Sequence, residues 1–447
     1  MQGPSSPDVV VVGGGPAGSV ASTLLADAGH RVVLLEREKF PRYHIGESLL
    51  SATLPIFDAI GATPKIEAHG FLRKPGGTFQ WGRSREPWSF LFREDPGGRP
   101  YGFQVVRAEF DELLLRNAAE HDVEVREEHT VTHVDVSGST PFVDVRRVDG
   151  RELRFTPRFV VDASGQGSVI GRALGVRRFD EFFKNLAVFG YFRDAERLPG
   201  ELANNVFSCA FGDGWFWYIP LHDGTMSVGA VIDVKRWHTI AETHPVDTLR
   251  KLIARCEPIA SRLRHATLLD PVRIIRDYSY DSTTFRGRGW LLAGDAACFI
   301  DPVFSTGVHL ASLAGFFAAR AISGVLRGVV DEETALARYD AQYREAFRRY
   351  LRFVYFFYDH NVDADSYFWT ARRLLAHQPD DIDLRGAFVR LVSGGGDRAA
   401  MADFAAFVGQ EHDRWDRAIR AGRVSALPGN ELLRVRTTQR LLDDDEE

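Results

Sequence analysis

The sequence predicts an α/β fold: a parallel sheet built on a strand, glycine turn and helix, an inserted antiparallel sheet, and a helical C-terminal region. Three observations predict it. The apolar run Val9 to Val12 leads into GGGPAG and then a helical segment. Short segments between about residues 180 and 276 alternate apolar and polar positions. From Ser305 onward, apolar residues recur at helical spacing.

At 447 residues the chain is too long for one ordinary core and implies two or three domains, or one large enzyme fold with insertions. Its 45% hydrophobic and 26% charged residues are those of a globular protein. A formal charge of -6 argues against nucleic acid as a partner, because phosphate binding relies on a basic surface. No apolar run approaches the length of a membrane span, and MQGPSSP lacks the regions of a signal peptide, so no membrane partner and a cytoplasmic location are expected. Cys209, Cys256 and Cys298 form no CxxC and read as small buried hydrophobes. Lysine occurs at only six positions, which adds weight to any lysine beside a motif.

The N-terminal unit is a βαβ: Val9 to Val12, the turn from Gly13 to Gly18, a helix, and a second strand Arg31 to Leu35 ending in Glu36. Gly13, Gly15 and Gly18, with Ala17 between, occupy the positions of a GxGxxG dinucleotide fingerprint, making this unit Rossmann-like. The first glycine permits the tight turn, the second lets backbone approach a pyrophosphate, and the third lets helix pack on strand. Amide groups at the helix start would hold the phosphates, and Glu36 would accept from a ribose.

Arg42 and Ser48 follow in FPRYHIGES, and Lys74 opens KPGGTFQWG. Taken alone, RKPGG reads as a surface turn with an exposed lysine. Val105 to Ala119 predicts an amphipathic helix carrying Arg107. Strand-to-turn patterns recur at Arg158 to Gly175 and at Gly289 to Ala311, the latter with Asp295 after its strand. That last segment is similar to the one in which hydroxylase-type flavoproteins place an aspartate on the flavin ribityl chain. Three such segments in order favour FAD over NAD.

Between them, Leu186 to Phe192, Val206 to Phe211 and Met226 to Ile232 predict antiparallel strands. Gly214 to Pro220 reads GWFWYIP, and period two puts Trp215 and Trp217 on one face and Phe216 and Tyr218 on the other. A plain buried strand accounts for that pattern as well as a functional wall does. Helices are expected over Thr306 to Arg327 and Glu332 to Tyr358, and the tail LLDDDEE is expected to be disordered. The expected organisation is an FAD-binding domain in two parts, 1–179 and 277–330, a substrate-binding sheet at 180–276, and a helical region at 331–447. The histidines show no metal-ligand spacing, and no metal is expected.

With REKFPRYHIGESLL after Glu36, KPGGTFQWG, and Trp215, Trp217, Ile219 and Pro220 in a WxWxIP motif, the sequence resembles the flavin-dependent halogenases. The resemblance runs from Asp8 to about Tyr358 and implies a p-hydroxybenzoate hydroxylase-like FAD fold. It implies that FAD, reduced to FADH2 by a separate flavin reductase, works with O2 to oxidise chloride or bromide to hypohalous acid, which passes through a tunnel to the substrate. By similarity the cofactor contacts are Gly13, Gly15, Ala17, Gly18, Glu36, Arg42, Ser48, Arg107, Asp295, Gly307 and Val308. The halide would sit at Thr306 and Gly307, Lys74 would be catalytic, and Trp215, Trp217, Ile219 and Pro220 would line the tunnel.

The tryptophan-acting branch carries a glutamate before its Ser-Thr-Gly turn, where this chain has Phe304. That departure points to an electron-rich phenolic or pyrrolic substrate in natural-product (antibiotic) biosynthesis, free or tethered to a carrier protein. Arg344, Arg348, Arg349 and Arg352 form a basic stretch that either docks an acidic carrier or is a solvated helix face. The competing enzyme readings are a single-component FAD/NAD(P)H aromatic hydroxylase and a geranylgeranyl-reductase-like flavoprotein. WxWxIP with Lys74 separates the halogenase from both.

Overall fold

A computed structural model describes residues 6–81, 86–180, 182–276, 279–359, 384–394 and 397. Its first sheet has six strands in the order Arg286–Gly287, Trp290–Leu292, Phe159–Asp162, Val9–Val12, Val32–Leu35 and Glu124–Arg126. All neighbours are parallel except the edge pair Arg286–Gly287 with Trp290–Leu292. The central strands are apolar at every position because both faces are covered, as parallel sheets require. The helix Pro16–Asp27 lies across this sheet, with proline in its first turn.

The helix Gly307–Leu326 crosses Pro16–Asp27 in backbone contact: a Cβ on Gly315 would lie 2.3 Å from the carbonyl oxygen of Ala17. That helix is long and apolar enough to span a membrane, yet 83% of its most apolar window is buried inside the fold. It is a core helix by packing. A second long helix, Glu332–Asp359, packs along it.

The second sheet has seven strands, ordered Thr267–Arg276, Asn185–Arg193, Met226–Asp233, Gly214–Pro220, Val206–Phe211, Gly76–Gln80 and Trp88–Leu91. The expected strands at 186–192, 206–211 and 226–232 are all present within it. The segment 180–276 does not build this sheet alone: Gly76–Gln80 joins Val206–Phe211 in parallel, and Trp88–Leu91 extends the edge. The N-terminal part of the chain therefore reaches into the sheet that 180–276 was expected to make. A three-stranded meander, His129–Asp135, Phe142–Arg147 and Glu152–Phe155, is a further addition.

The two faces of Gly214–Pro220 divide as period two predicts. Trp215, Trp217 and Ile219 enter the main core, while Phe216 and Tyr218 enter a second core capped by the helices Pro245–Ala254 and Glu257–Arg262. Trp217 fits because its cross-strand partner is Gly229, where a Cβ would lie 2.2 Å from the indole. Gly229→Ala is therefore expected to destabilise the protein by about 1–3 kcal/mol through overpacking. Denaturant unfolding checks this, and a cost near zero would mean that the indole is free to move.

Cys209, Cys256 and Cys298 are all buried, as expected, with Cys209 and Cys256 placing their sulfurs 3.6 Å apart. The expected helix at 332–358 is present, and Leu384–Val392 forms another. Most of the C-terminal helical region beyond residue 359, including the tail expected to be disordered, lies outside the described residues.

Candidate active site

The carboxyl ends of Val9–Val12, Phe159–Asp162 and Trp290–Leu292 open side by side. The chain order runs outward in both directions from Val9–Val12, so this edge is a switch point, the usual ligand crevice of an open parallel sheet. Three glycines line its first turn for different reasons. Gly13 has φ +105°, and a Cβ there would lie 2.4 Å from Ala163 O; a Cβ on Gly18 would lie 1.9 Å from Gly13 O. Both are required by the fold itself. Gly15 is extended (φ -73°, ψ -175°), and a Cβ there would meet nothing nearer than Arg42 Nη2 at 3.6 Å. Among the described residues, none fills the space beside Gly15.

Buried Glu36 accepts from the amides of Gly14 (2.8 Å) and Glu38 (2.9 Å), which fixes its carboxylate at the end of the second strand. Ala17 packs under the turn that carries Asp295: a Cβ on Gly294 would lie 3.1 Å from the Ala17 methyl. The Asp295 carboxylate accepts no hydrogen bond from the described residues. Burial pushes it up to about 6, with the charges of Arg107 and Arg177 partly offsetting this.

Arg42 donates to Asp111 at 2.7 Å, and Ser48 is buried with its hydroxyl unpartnered. Arg107 is largely engaged within the protein. Its Nε and Nη2 grip Asp111 at 2.7 and 2.9 Å, and its Nη1 donates to the carbonyls of Ile45 (2.7 Å) and Gly46 (3.2 Å). The guanidinium thereby braces the loop carrying Arg42 to Ser48, leaving one N–H for anything else.

Across the crevice, Asp301 accepts from Val303 N at 3.0 Å and opens the turn Pro302–Phe304, after which Ser305 is left-handed (φ +60°). Thr306 then caps the helix Gly307–Leu326 without a side-chain bond. Among the described residues the amides of Thr306, Gly307 and Val308 donate to no acceptor. Thr306 and Val308 are buried, so this is a set of orphan donors at a positive helix end.

Lys74 is 2% exposed, which overturns its reading as a turn lysine. It ends the strand Leu72–Lys74, paired with Gly102–Gln104, and Gln104 in turn bridges to Ser48. Its ammonium has no hydrogen-bond or carboxylate partner among the described residues, only the Phe92 ring centroid 5.5 Å away. Burial alone pulls its pKa down to about 7.

Trp215 and Trp217 lie 6.3 Å apart, centroid to centroid. Trp217 donates to Ser227 Oγ at 3.1 Å, and Trp215 to the hydroxyl of Tyr358, which itself donates to Asp301 at 3.0 Å. The WxWxIP strand is thus wired through Tyr358 to the turn of orphan amides. Ile219 and Pro220 are buried at the end of that strand. Phe304 is buried among aromatic rings: Phe353 and Phe357 each at 4.9 Å and Phe79 at 6.0 Å.

Sequence reasoning missed Glu47, Asp301 and Tyr358. Glu47 is buried and accepts from Tyr191 OH at 2.7 Å; burial pushes it up to about 7. Burial likewise pushes Asp301 up to about 7, against the hydrogen bonds from Val303 and Tyr358. Asp-Pro before a turn was a readable signal for Asp301; the partnership with Tyr358, 57 residues on, was not. The basic stretch is smaller than expected. Arg344 is paired with Asp340 and Asp281, and Arg349 with Asp397, which leaves Arg348 and Arg352 exposed.

The open space at Gly15, the unpartnered Asp295 carboxylate and the orphan Ser48 hydroxyl fit a dinucleotide with polyol hydroxyls, which is what FAD offers. Comparison with known proteins points the same way. A family model described as tryptophan halogenase matches residues 8–98 and 94–407. A tryptophan 2-halogenase of Chondromyces crocatus is 38% identical over 405 residues, 88% of this chain and 77% of that one. A flavin-dependent halogenase of Armillaria mellea is 36% identical, covering 79% of this chain and 72% of its own. Among solved structures, the myxobacterial chondrochloren halogenase, described as a new variant of FAD-dependent halogenases, is 43% identical. It superposes with a TM-score of 0.78 over 88% of this chain and 90% of that one.

Proposed function

The chain belongs to the tryptophan halogenase family of flavin-dependent halogenases, and from that premise we propose that it chlorinates an electron-rich phenolic or pyrrolic ring in natural-product biosynthesis. The observation that carries the substrate reading is Phe304. Its side chain fills the position before the Ser-Thr-Gly turn with an apolar ring packed on Phe353 and Phe357. An unactivated indole carbon needs a carboxylate nearby to stabilise its cationic intermediate and remove its proton. A phenol or pyrrole disperses that charge itself, and so tolerates an apolar wall.

When bound, reduced FAD together with O2 supplies the oxidant that turns halide into hypohalous acid. Gly13, Gly15, Ala17 and Gly18 let the cofactor phosphates approach the start of Pro16–Asp27, and Glu36 and Asp295 accept from its hydroxyls. Arg42 and Ser48 hold its near side, and Arg107 acts by bracing their loop. The amides of Thr306, Gly307 and Val308 hold the halide. Lys74, with its pKa near neutrality and its Nζ in an apolar surround, donates a hydrogen bond to the oxygen of hypohalous acid and polarises the halogen. Trp215 and Trp217, with Ile219 and Pro220 behind them, keep the substrate away from the flavin side, so that oxidant reaches it only past Lys74.

A separate flavin reductase supplies FADH2, in the cytoplasm where NAD(P)H is available. Arg348 and Arg352 alone are a weak docking surface, so a free substrate is favoured over a carrier-tethered one. The test combines protein, FAD, a flavin reductase, NADH and O2 with chloride or bromide. Phenolic, pyrrolic and carrier-loaded acids compete with tryptophan, which the 38% identical relative carries in its name. A chlorine isotope pattern on the phenol or pyrrole is expected by mass spectrometry. Preferential halogenation of tryptophan would overturn the substrate reading, and hydroxylated product formed without the reductase would overturn the mechanism.

A further inference from the structure

Three side chains from three separate elements converge on one point outside the crevice. His69 ends the helix Thr63–His69, Glu109 lies in the first turn of Arg107–Glu120, and His222 sits in the turn after Gly214–Pro220. Glu109 Oε2 lies 2.7 Å from His69 Nε2 and 3.1 Å from His222 Nε2, and ligand atoms of all three lie within 4.8 Å of one another.

Apolar packing fixes both rings. His69 stacks on the buried ring of Phe71 with centroids 4.3 Å apart, His222 meets the same ring edge-on at 5.1 Å, and the two imidazoles lie 5.6 Å apart. Glu109 has no lysine or arginine partner among the described residues, so its carboxylate is available to a cation. His69 is exposed, and Glu109 and His222 are half-buried.

We propose that His69, Glu109 and His222 bind one divalent cation of borderline softness, of the Zn²⁺ or Co²⁺ type, with a fourth position open to water. Two imidazole nitrogens and one carboxylate oxygen are the donor set that selects such an ion over Ca²⁺ or Mg²⁺, which prefer all-oxygen sites. The present spacings are those of hydrogen bonds to Glu109. A tetrahedral ion at about 2.0–2.2 Å from each atom needs only a small outward shift of the rings. His222 Nδ1 is buried without an acceptor. An outer-shell acceptor of that kind strengthens metal binding, so this site is weaker than a structural zinc centre.

The ion would rivet the exit of the WxWxIP strand, two residues past Pro220, to the helix that begins at Arg107. The site is independent of the halogenation chemistry, and nothing in its test relies on turnover. The test titrates Co²⁺ and Zn²⁺ into the metal-free, FAD-loaded full chain, and follows Co²⁺ visible absorption, stoichiometry and thermal unfolding. One equivalent of Co²⁺ with a tetrahedral-type spectrum, displaced by Zn²⁺, and a raised unfolding temperature are expected. Mg²⁺ is expected to give neither effect.

His69→Ala with His222→Ala is expected to abolish this binding, and Glu109→Gln to weaken it at least about tenfold. Glu109→Gln retains the shape of the site, so it serves where the double variant folds poorly. Absence of stoichiometric binding, or equal binding in wild type and Glu109→Gln, would overturn the site and leave a hydrogen-bonded His–Glu–His bridge.

Discussion

Replacing Lys74 with methionine is expected to remove halogenation and, at the same time, to make the protein harder to unfold below neutral pH. Both effects follow from one fact: the ammonium is buried without a hydrogen-bond or carboxylate partner among the described residues. Loss of a group that donates a proton or hydrogen bond at the reacting atom costs at least about 100-fold in rate. The stability effect follows from linkage. The pKa of Lys74 falls from 10.5 in the unfolded chain to about 7 in the fold. Between those values the unfolded state binds more protons, so stability rises with pH. The penalty is therefore full below pH 7 and fades as pH rises toward 10.5.

At 1.36 kcal/mol per unit, Lys74→Met is expected to gain roughly 3–5 kcal/mol relative to wild type at pH 6. That gain should shrink at pH 10. Denaturant unfolding of the FAD-free proteins at both pH values, with product analysis by mass spectrometry, checks the two halves. Retained chlorination would remove Lys74 from the chemistry, and an equal gain at both pH values would mean that its ammonium is solvated.

Gly15→Ala is expected to leave the fold intact and weaken FAD binding by about 10–100-fold, equivalent to roughly 1.4–2.8 kcal/mol. The backbone at Gly15 is in a region open to any residue, and the new methyl would meet only Arg42 Nη2 at 3.6 Å, an ordinary contact. The methyl instead occupies the space through which a pyrophosphate reaches the helix start. FAD retained through desalting should fall, while apoprotein unfolding stays at the wild-type midpoint. Gly18→Ala is the contrast: its methyl strikes the Gly13 carbonyl, so it is expected to lower stability as well. Undiminished FAD binding in Gly15→Ala would move the cofactor phosphates away from this turn.

What could be read from the sequence was what is local in it. The unit from Val9 to Glu36 has its strand, turn, helix and second strand within thirty residues, and each carries its own signal. The alternation in GWFWYIP placed Trp215 and Phe216 in the correct, opposite cores for the same reason. The pairing of Gly76–Gln80 with Val206–Phe211 has no local sign, because parallel strands joined across so long a connection share no turn. Lys74 shows the limit most clearly. RKPGG reads as a solvent turn, yet Lys74 ends a strand paired with Gly102–Gln104 and is buried, which nothing in its local sequence shows. Arg107 carries a local signal of another kind. RAEFD displays Arg107 and Asp111 four residues apart on a helix, so the ion pair that engages the guanidinium is legible in the sequence.

The backbone contact between Ala17 and Gly315 has an engineering consequence. The glycine turn from Gly13 to Gly18 and the turn of orphan amides are each the leading end of a helix, and those two helices touch without an intervening side chain that could act as a spacer. Their separation is set like the gap between the jaws of a fixed spanner. A transplant of the Ser-Thr-Gly turn into another flavoprotein would carry the right residues to the wrong place unless both helices, crossing included, were moved as one block.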